Sequence, residues 1–388
     1  MTPPPFSPFP KEEYEGRVSR ARNLLEEAGF DGSICVGPDH LNYLGGFDCV
    51  SYFSPQALVF SVADTREPTL FIRNADVPHA EETSWTQDIR TYQLYGEDPF
   101  DVIADIAQGL GIASGRIAVD MGAHACTGRY LNRLRAAMPN ADLEDATDLL
   151  SSLQFVKSEA ELVHMRTASR MAEIGLEAAR TSLKVGMTEI QYCGKIEAAM
   201  RAVGSEYPAL PSLCASGWRG PGMHSTPTNK TIEKGELVHL EFPGVSNRYH
   251  SVGIMSLAAG EPSAQAREFY DLGNETLTAA VNACVPGDKI GALEHASIEP
   301  LKKAGREDAY MVMMGTGLGI AYPPIWGGSL HINRWSDLTI EVGMVFYLHS
   351  CLQFMEEKIG ILQGGTYLVT EAGAELLCGS GEHDLLVV

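Results

Sequence analysis

The chain has 388 residues, is 45% apolar and carries a formal net charge of -21. That length predicts two domains or three, and the acidic balance argues against nucleic acid and anionic membranes as partners, because phosphate binding needs clustered Lys and Arg. A cationic or zwitterionic small ligand suits the charge. No apolar run reaches the ~18 residues of a spanning helix. The start, Met1-Thr-Pro-Pro-Pro-Phe-Ser-Pro-Phe-Pro10, lacks a signal pattern and reads as an extended arm. Eight cysteines lie scattered without metal-type or secreted-framework spacing, so reduced thiols and a cytoplasmic location are expected.

Residues 11–28 are predicted as a helix, with Val18, Ala21, Leu24, Leu25 and Ala28 on one stripe and Gly29 at its end. Residues 32–36, 57–61, 69–72 and 116–120 read as strands, with helices over 100–110 and 127–137. Residues 1–150 are therefore an α/β domain. Ser158-Glu-Ala-Glu161 has capping-box spacing and opens a helix to about 183. Thr188-Glu-Ile-Gln191 repeats the device for a helix to about 203. A Gly- and Pro-rich stretch, 207–228, precedes a strand that starts after Gly235. Helices over 264–284 and 293–304, then a glycine-rich loop over 315–328, precede a second strand after Gly343. Residues 151–388 are thus α+β, with helices paired against an antiparallel sheet.

Those two strands echo each other. Ile232-Glu-Lys-Gly-Glu-Leu-Val-His-Leu-Glu241 returns as Ile340-Glu-Val-Gly-Met-Val-Phe-Tyr-Leu-His349, and Leu183-Lys-Val-Gly-Met-Thr-Glu-Ile190 as Cys284-Val-Pro-Gly-Asp-Lys-Ile290. Matching order and spacing point to an internal duplication; a chance recurrence of a common turn is the plain alternative. Strand alternation puts Leu237, His239 and Glu241 on one face, and Val345, Tyr347 and His349 on the equivalent face.

A carboxylate in an apolar strand is costly unless paired or used, so Glu241 is either functional or a partner of His349 or Arg248. His224, in Gly222-Met-His-Ser-Thr-Pro227, is a candidate base or a solvated loop residue. His349 is a site residue or a core imidazole, His250 a site residue or a backbone partner, and His239 structural. Tyr52, Phe53, Trp218, Tyr322 and Trp326 are cation-cage candidates or ordinary core aromatics. Gln56 offers an amide to a ligand carboxylate or ring N–H. Gly315-Thr-Gly-Leu-Gly319 lacks the Lys of a phosphate loop, which excludes nucleotide binding.

Several motifs, taken in order, resemble the creatinase/aminopeptidase P/prolidase superfamily, whose fold is the pita bread. They are Lys157-Ser-Glu-Ala-Glu161, Val185-Gly-Met-Thr188, His224 before Gly235-Glu-Leu-Val238, Gly315-Thr-Gly-Leu-Gly319, Gly343-Met-Val345 and Leu368-Val-Thr-Glu-Ala-Gly373. The resemblance covers nearly the whole chain. It implies a creatinase-like α/β domain over 1–150 and a pita-bread catalytic domain over 151–388 with a pseudo-twofold repeat. Peptidases of the superfamily carry two metal ions on two Asp, one His and two Glu. The matching positions here are Glu241, Val252, Thr316, His349 and a position near Gly364. A dinuclear site needs several carboxylates, so the resemblance implies a site with no metal or other cofactor. A single zinc on Glu241, His250 and His349 is the remaining alternative.

Metal-free members of the superfamily cleave C–N bonds in small amidine-like zwitterions. The catalytic His of creatinases matches His224, but Ser54 stands where they place a carboxylate-binding Arg. Ectoine hydrolases are the better match, through Ser51-Tyr-Phe-Ser-Pro-Gln56, Leu240-Glu-Phe-Pro-Gly244, Asn247-Arg-Tyr-His250 and Gly319-Ile-Ala-Tyr-Pro-Pro-Ile-Trp-Gly327. In them the Glu matching Glu241 is the expected nucleophile. Met255 replaces an Arg, His349-Ser-Cys-Leu352 replaces a Pro-Gly pattern, and the final Glu is absent. These departures surround the pocket and open the substrate to related cyclic or guanidino zwitterions.

The resemblance therefore implies a metal-independent hydrolase with Glu241, His224 and His349 as catalytic residues. Tyr52, Phe53, Gln56, Trp218, His250, Tyr322 and Trp326 would surround the substrate. Glu241 attacks as a nucleophile or serves as base for water, with His224 activating the water. A metal-dependent Xaa-Pro peptidase or dimethylsulfoniopropionate lyase is one alternative, but it requires carboxylates at 252 and near 364. A non-catalytic binding module is another, against which His224 and Glu241 argue. By resemblance the chain forms a homodimer in which residues 52–56 complete the neighbour's pocket.

Overall fold

The computed structural model describes residues 4–311, 314–380 and 384–388; residues 1–3 of the expected arm lie outside them. The chain divides into two units, Met1–Leu153 and Gln154–Val388. Among the described residues no helix is long and apolar enough to cross a membrane.

The N-terminal unit opens on α1 (Lys11–Glu27). Its strands β1 (Gly32–Cys35), β2 (Ala57–Ser61), β3 (Thr69–Arg73), β4 (Ile89–Tyr92), β5 (Arg116–Val119) and β6 (Asp142–Asp145) form one sheet, ordered β4-β3-β2-β1-β5-β6. The connecting helices are α2 (Pro38–Gly45), α3 (Val77–Thr83), α4 (Pro99–Gly109), α5 (Gly128–Ala137) and α6 (Thr147–Ser152). The strand expected over 116–120 ends one residue early because Asp120 serves its neighbours instead. Its carboxylate accepts the Val36 and Gly37 amides at 2.7 and 2.8 Å and pairs with His40 at 2.7 Å. Ile34, Val59, Phe71, Ile103 and Leu134 fill the core beneath this sheet.

In the C-terminal unit one sequence of elements occurs twice: two helices, a short strand, then a long hairpin. The first set is α7 (Glu159–Ser182), α8 (Glu189–Ala202), β7 (Leu213–Ser216), β8 (Glu236–Ser246) and β9 (Tyr249–Ala259). The second is α9 (Ala264–Asn282), α10 (Gly291–Ala304), β10 (Gly315–Gly317), β12 (Val345–Phe354) and β13 (Ile359–Thr370), with β11 (His331–Ile332) and β14 (Gly373–Gly379) added at the edges. The sheets are ordered β7-β8-β9 and β11-β10-β12-β13-β14. Both expected capping boxes form, Ser158 with Glu161 and Thr188 with Gln191, which fixes where α7 and α8 begin.

Alternation along the two long strands explains the architecture. Val238, Leu240 and Phe242 pack on Leu176, Tyr192 and Ile196 of the helices. Phe346 and Leu348 pack likewise on Leu277 and Leu293. Each fully buried apolar side chain stabilises by about 2 kcal/mol, so these faces fix the register. The residues between them, His239 and Glu241 in β8 and Tyr347, His349 and Cys351 in β12, are thereby turned the other way. The two sheets are tied through β9 and β13. Thr366 Oγ1 accepts the Val252 amide at 2.8 Å, and Ser256 Oγ donates to the Leu362 carbonyl at 3.0 Å.

The β8–β9 hairpin turns on Asn247 and Arg248, whose φ angles of 48° and 64° suit a two-residue turn that follows the strand twist. Near its end β8 runs so close under α7 that a Cβ on Gly244 would overlap the Ala168 carbonyl and crowd the Ala172 amide. Gly244→Ala should therefore destabilise the protein by about 3 kcal/mol or more, at the upper end of overpacking costs. Urea unfolding followed by circular dichroism measures this, and an unchanged midpoint would show that α7 can yield.

Candidate active site

Glu241 of β8 and Tyr347 of β12 meet where the two halves of the C-terminal unit face each other. The Tyr347 hydroxyl donates to Glu241 Oε1 at 2.9 Å. The Glu241 side chain is 8% exposed, and among the described residues no Lys or Arg pairs with it. Burial raises its pKa to about 7, against the lowering effect of the Tyr347 bond. Near neutral pH this carboxyl is therefore close to half ionised.

His349 follows Tyr347 by two residues on the same face, its ring 4.9 Å from the Tyr347 ring. Burial, together with the nearby His224, lowers its pKa to about 4, so its imidazole is neutral. Cys351, two residues further, places Sγ 3.0 Å from His349 Nδ1. Burial and the Glu241 charge push the Cys351 thiol well above its ordinary range, so it keeps its proton. The S–H then donates to Nδ1, which leaves the ring proton on Nε2. Tyr347 and Cys351 are thus neighbours of Glu241 that were not expected as site residues. Their signal was the spacing of two from His349.

His224 is exposed, on the loop between β7 and β8, yet within electrostatic reach of His349. Buried side chains clamp that loop. Glu189, at the start of α8, accepts from the Ser216 amide and hydroxyl at 2.9 and 2.8 Å and from the Thr228 amide and hydroxyl at 2.9 and 2.8 Å. It also pairs with Arg219. His239 Nε2 donates to the Gly220 carbonyl at 2.9 Å, and Gln353 Nε2 donates to the Pro221 carbonyl at 2.6 Å. Glu241, His349 and His224 are therefore brought together from three different segments.

The remaining expected residues are placed elsewhere or otherwise engaged. His250 Nε2 accepts the Ala209 amide at 3.0 Å and Nδ1 donates to the Arg248 carbonyl at 2.8 Å, which leaves neither nitrogen for a ligand or a zinc ion. Tyr322 is buried with the Arg248 guanidinium 4.9 Å from its ring, so its cation partner is internal. Trp326 is buried and Trp218 is 67% exposed. Tyr52, Phe53 and Gln56 belong to the N-terminal unit, where Phe53 is exposed and Gln56 is buried with its carbonyl accepting from Tyr130 at 3.1 Å.

The residues at this centre do not fit a two-ion site. Val252 is apolar and buried, Gly364 pairs with His349 across the β12–β13 ladder, and Thr316 offers only a hydroxyl. Among the described residues no three of His, Cys, Asp or Glu are placed to share an ion.

Residues 163–371 match the family model described as Metallopeptidase family M24, and residues 17–156 match that of the Creatinase/Prolidase N-terminal domain. The ectoine hydrolase of Halomonas elongata is 26% identical over 390 residues, covering 95% of this chain and 96% of its own. An Xaa-Pro dipeptidase of Lactobacillus delbrueckii is 25% identical, covering 85% and 88%. Among solved structures, dipeptidase PepE from Mycobacterium ulcerans superposes with a TM-score of 0.86 at 24% identity, covering 98% of this chain and 99% of that one.

The raised pKa of Glu241 has a consequence for stability. Folded Glu241 binds a proton more tightly than it does unfolded, so its contribution is full below pH 4.5 and is lost as pH rises through about 7. Glu241→Gln should leave stability nearly unchanged at pH 4 and raise it by about 3 kcal/mol at pH 8. Thermal melts of both proteins at the two pH values measure the difference; equal shifts at both would mean that the carboxylate is not desolvated.

Proposed function

The chain belongs to metallopeptidase family M24, and from that premise we propose that it is a hydrolase cleaving a C–N bond of a small amidine or guanidino zwitterion without a metal ion. The observation that carries this is a buried carboxylate that, among the described residues, has no cationic partner. Glu241 has shed most of its water and, among the described residues, has only the Tyr347 hydroxyl in return. An amidinium carries its positive charge over two nitrogens and so offers both the missing charge and N–H donors. Binding it would ionise Glu241 fully, since an opposite charge in contact lowers a carboxyl pKa.

His224 is our candidate for handling water, because it is exposed on a clamped loop and lies within electrostatic reach of His349. His349 stays neutral beside it and can accept or pass a proton. The similarity to an ectoine hydrolase supports a cyclic amidine as substrate. Relatives named Xaa-Pro dipeptidases favour a peptidase instead; against that, among the described residues no three of His, Cys, Asp or Glu are placed to share an ion. A homodimer in which Tyr52, Phe53 and Gln56 of one copy complete the other's pocket belongs to the same proposal.

The test is incubation of chelator-treated protein with ectoine, hydroxyectoine and creatine, with products followed by mass spectrometry. At least one should gain a water, with no loss of rate after chelation. Glu241→Gln should lower that rate by at least about 10²-fold. A rate that vanishes on chelation and returns with manganese or zinc would sink the proposal.

A further inference from the structure

The face of β12 that carries Tyr347 and His349 also carries a thiol with a base in contact. Cys351 Sγ lies 3.0 Å from His349 Nδ1, and both side chains are buried. Glu241 acts electrostatically on that thiol and bonds the Tyr347 hydroxyl on the same face. Carboxylate, imidazole and thiol therefore belong to one buried cluster. All eight cysteines are free, and the hydrogen bonds of Cys35, Cys49, Cys214 and Cys378 run to hydroxyl, carboxyl or carbonyl oxygens or to another sulfur rather than to an imidazole.

We propose that Cys351 is the nucleophile that bonds to the amidine carbon, with His349 as its proton acceptor and Glu241 as the anion that holds the substrate cation. This rests on the amidine-hydrolase proposal above. At rest the thiol is inert, because burial and the Glu241 charge both hold its proton in place. A bound amidinium offsets the Glu241 charge with its own and removes one of these two obstacles, so the substrate itself activates the thiol. The reactive thiolate then appears only when there is something for it to attack.

The step balances. The thiol proton passes to His349 Nδ1 as the S–C bond forms on the amidinium carbon. The imidazolium hands that proton to the leaving nitrogen, the C–N bond breaks, and a cationic thioimidate remains. Water adds to the same carbon, the S–C bond breaks and sulfur takes back a proton through His349. The carbon leaves as an amide carbonyl, and the last proton stays on the released amine. One water is consumed, and nothing is oxidised or reduced.

Two alkylating reagents of one size and leaving group, 2-chloroacetamidine and 2-chloroacetamide, differ in charge and so test the assignment. The full chain is treated with each, and the labelled cysteine is identified by peptide mass spectrometry. The cationic reagent should label Cys351 about 100-fold faster than the neutral one, the effect of a close charge pair shielded from water. Glu241→Gln should erase that preference, and the other cysteines should show none. Equal rates of the two reagents at Cys351, or labelling that bypasses Cys351, would overturn the assignment. If Cys351→Ala, shown to be folded by its melt, hydrolyses an amidine as fast as the parent, the nucleophile is wrong while the hydrolase proposal stands. If the parent hydrolyses no amidine yet Cys351 shows the charge preference and needs Glu241 for it, the thiol assignment holds and the proposed reaction does not.

Discussion

The bond from the Tyr347 hydroxyl to Glu241 is the constraint on which the site depends. It joins side chains 106 residues apart, one from each half of the repeated C-terminal unit. A carboxylate taken out of water needs a donor, and among the described residues this one receives a single neutral O–H. That support keeps Glu241 in place without neutralising it. The result is a group poised near pH 7 in the centre of a buried cluster.

Desolvation sets the charge state of everything around it. His349 and His239 are both lowered to about 4 by burial, so neither brings a positive charge to Glu241. His239 instead holds the Gly220 carbonyl, and Glu189 holds the neck of the same loop. Backbone is thereby fixed beside a buried cluster in which, among the described residues, Glu241 meets no Lys or Arg. Preorganisation of this kind costs nothing at the moment a ligand binds.

The family scaffold is retained, and Val252, Gly364 and Thr316 serve packing within it. Val252 gives its amide to Thr366, which ties the two sheets together. Gly364 is bonded to Ser380 through both its amide and its carbonyl. Thr316 pairs with Tyr347 across β10 and β12. The same strands still deliver side chains to one point, but those side chains are a carboxylate, an imidazole, a phenol and a thiol.

Much of the fold was legible because its signals are local. The capping boxes at Ser158 and Thr188 lie within one helical turn and the structure begins α7 and α8 there, and the stripe of α1 lies within three turns and is helical as expected. Strand alternation placed Glu241 and His349 on matching faces of two related strands. Other elements carried no such mark: β13 has Gly364 and Gly365 in mid-strand, and β9 is buried along its whole length, so neither shows a clean alternation. The partners of the site residues were out of reach for a different reason. Whether His250 faces a ligand was decided by the amide of Ala209, and whether Tyr322 was free by the guanidinium of Arg248. The sequence alone determined which residues alternate, which helices start and which strands repeat, since chain geometry over a few residues dictates these. Only the tertiary structure decided which polar atoms meet, because hydrogen bonds between segments a hundred residues apart depend on how the two halves close.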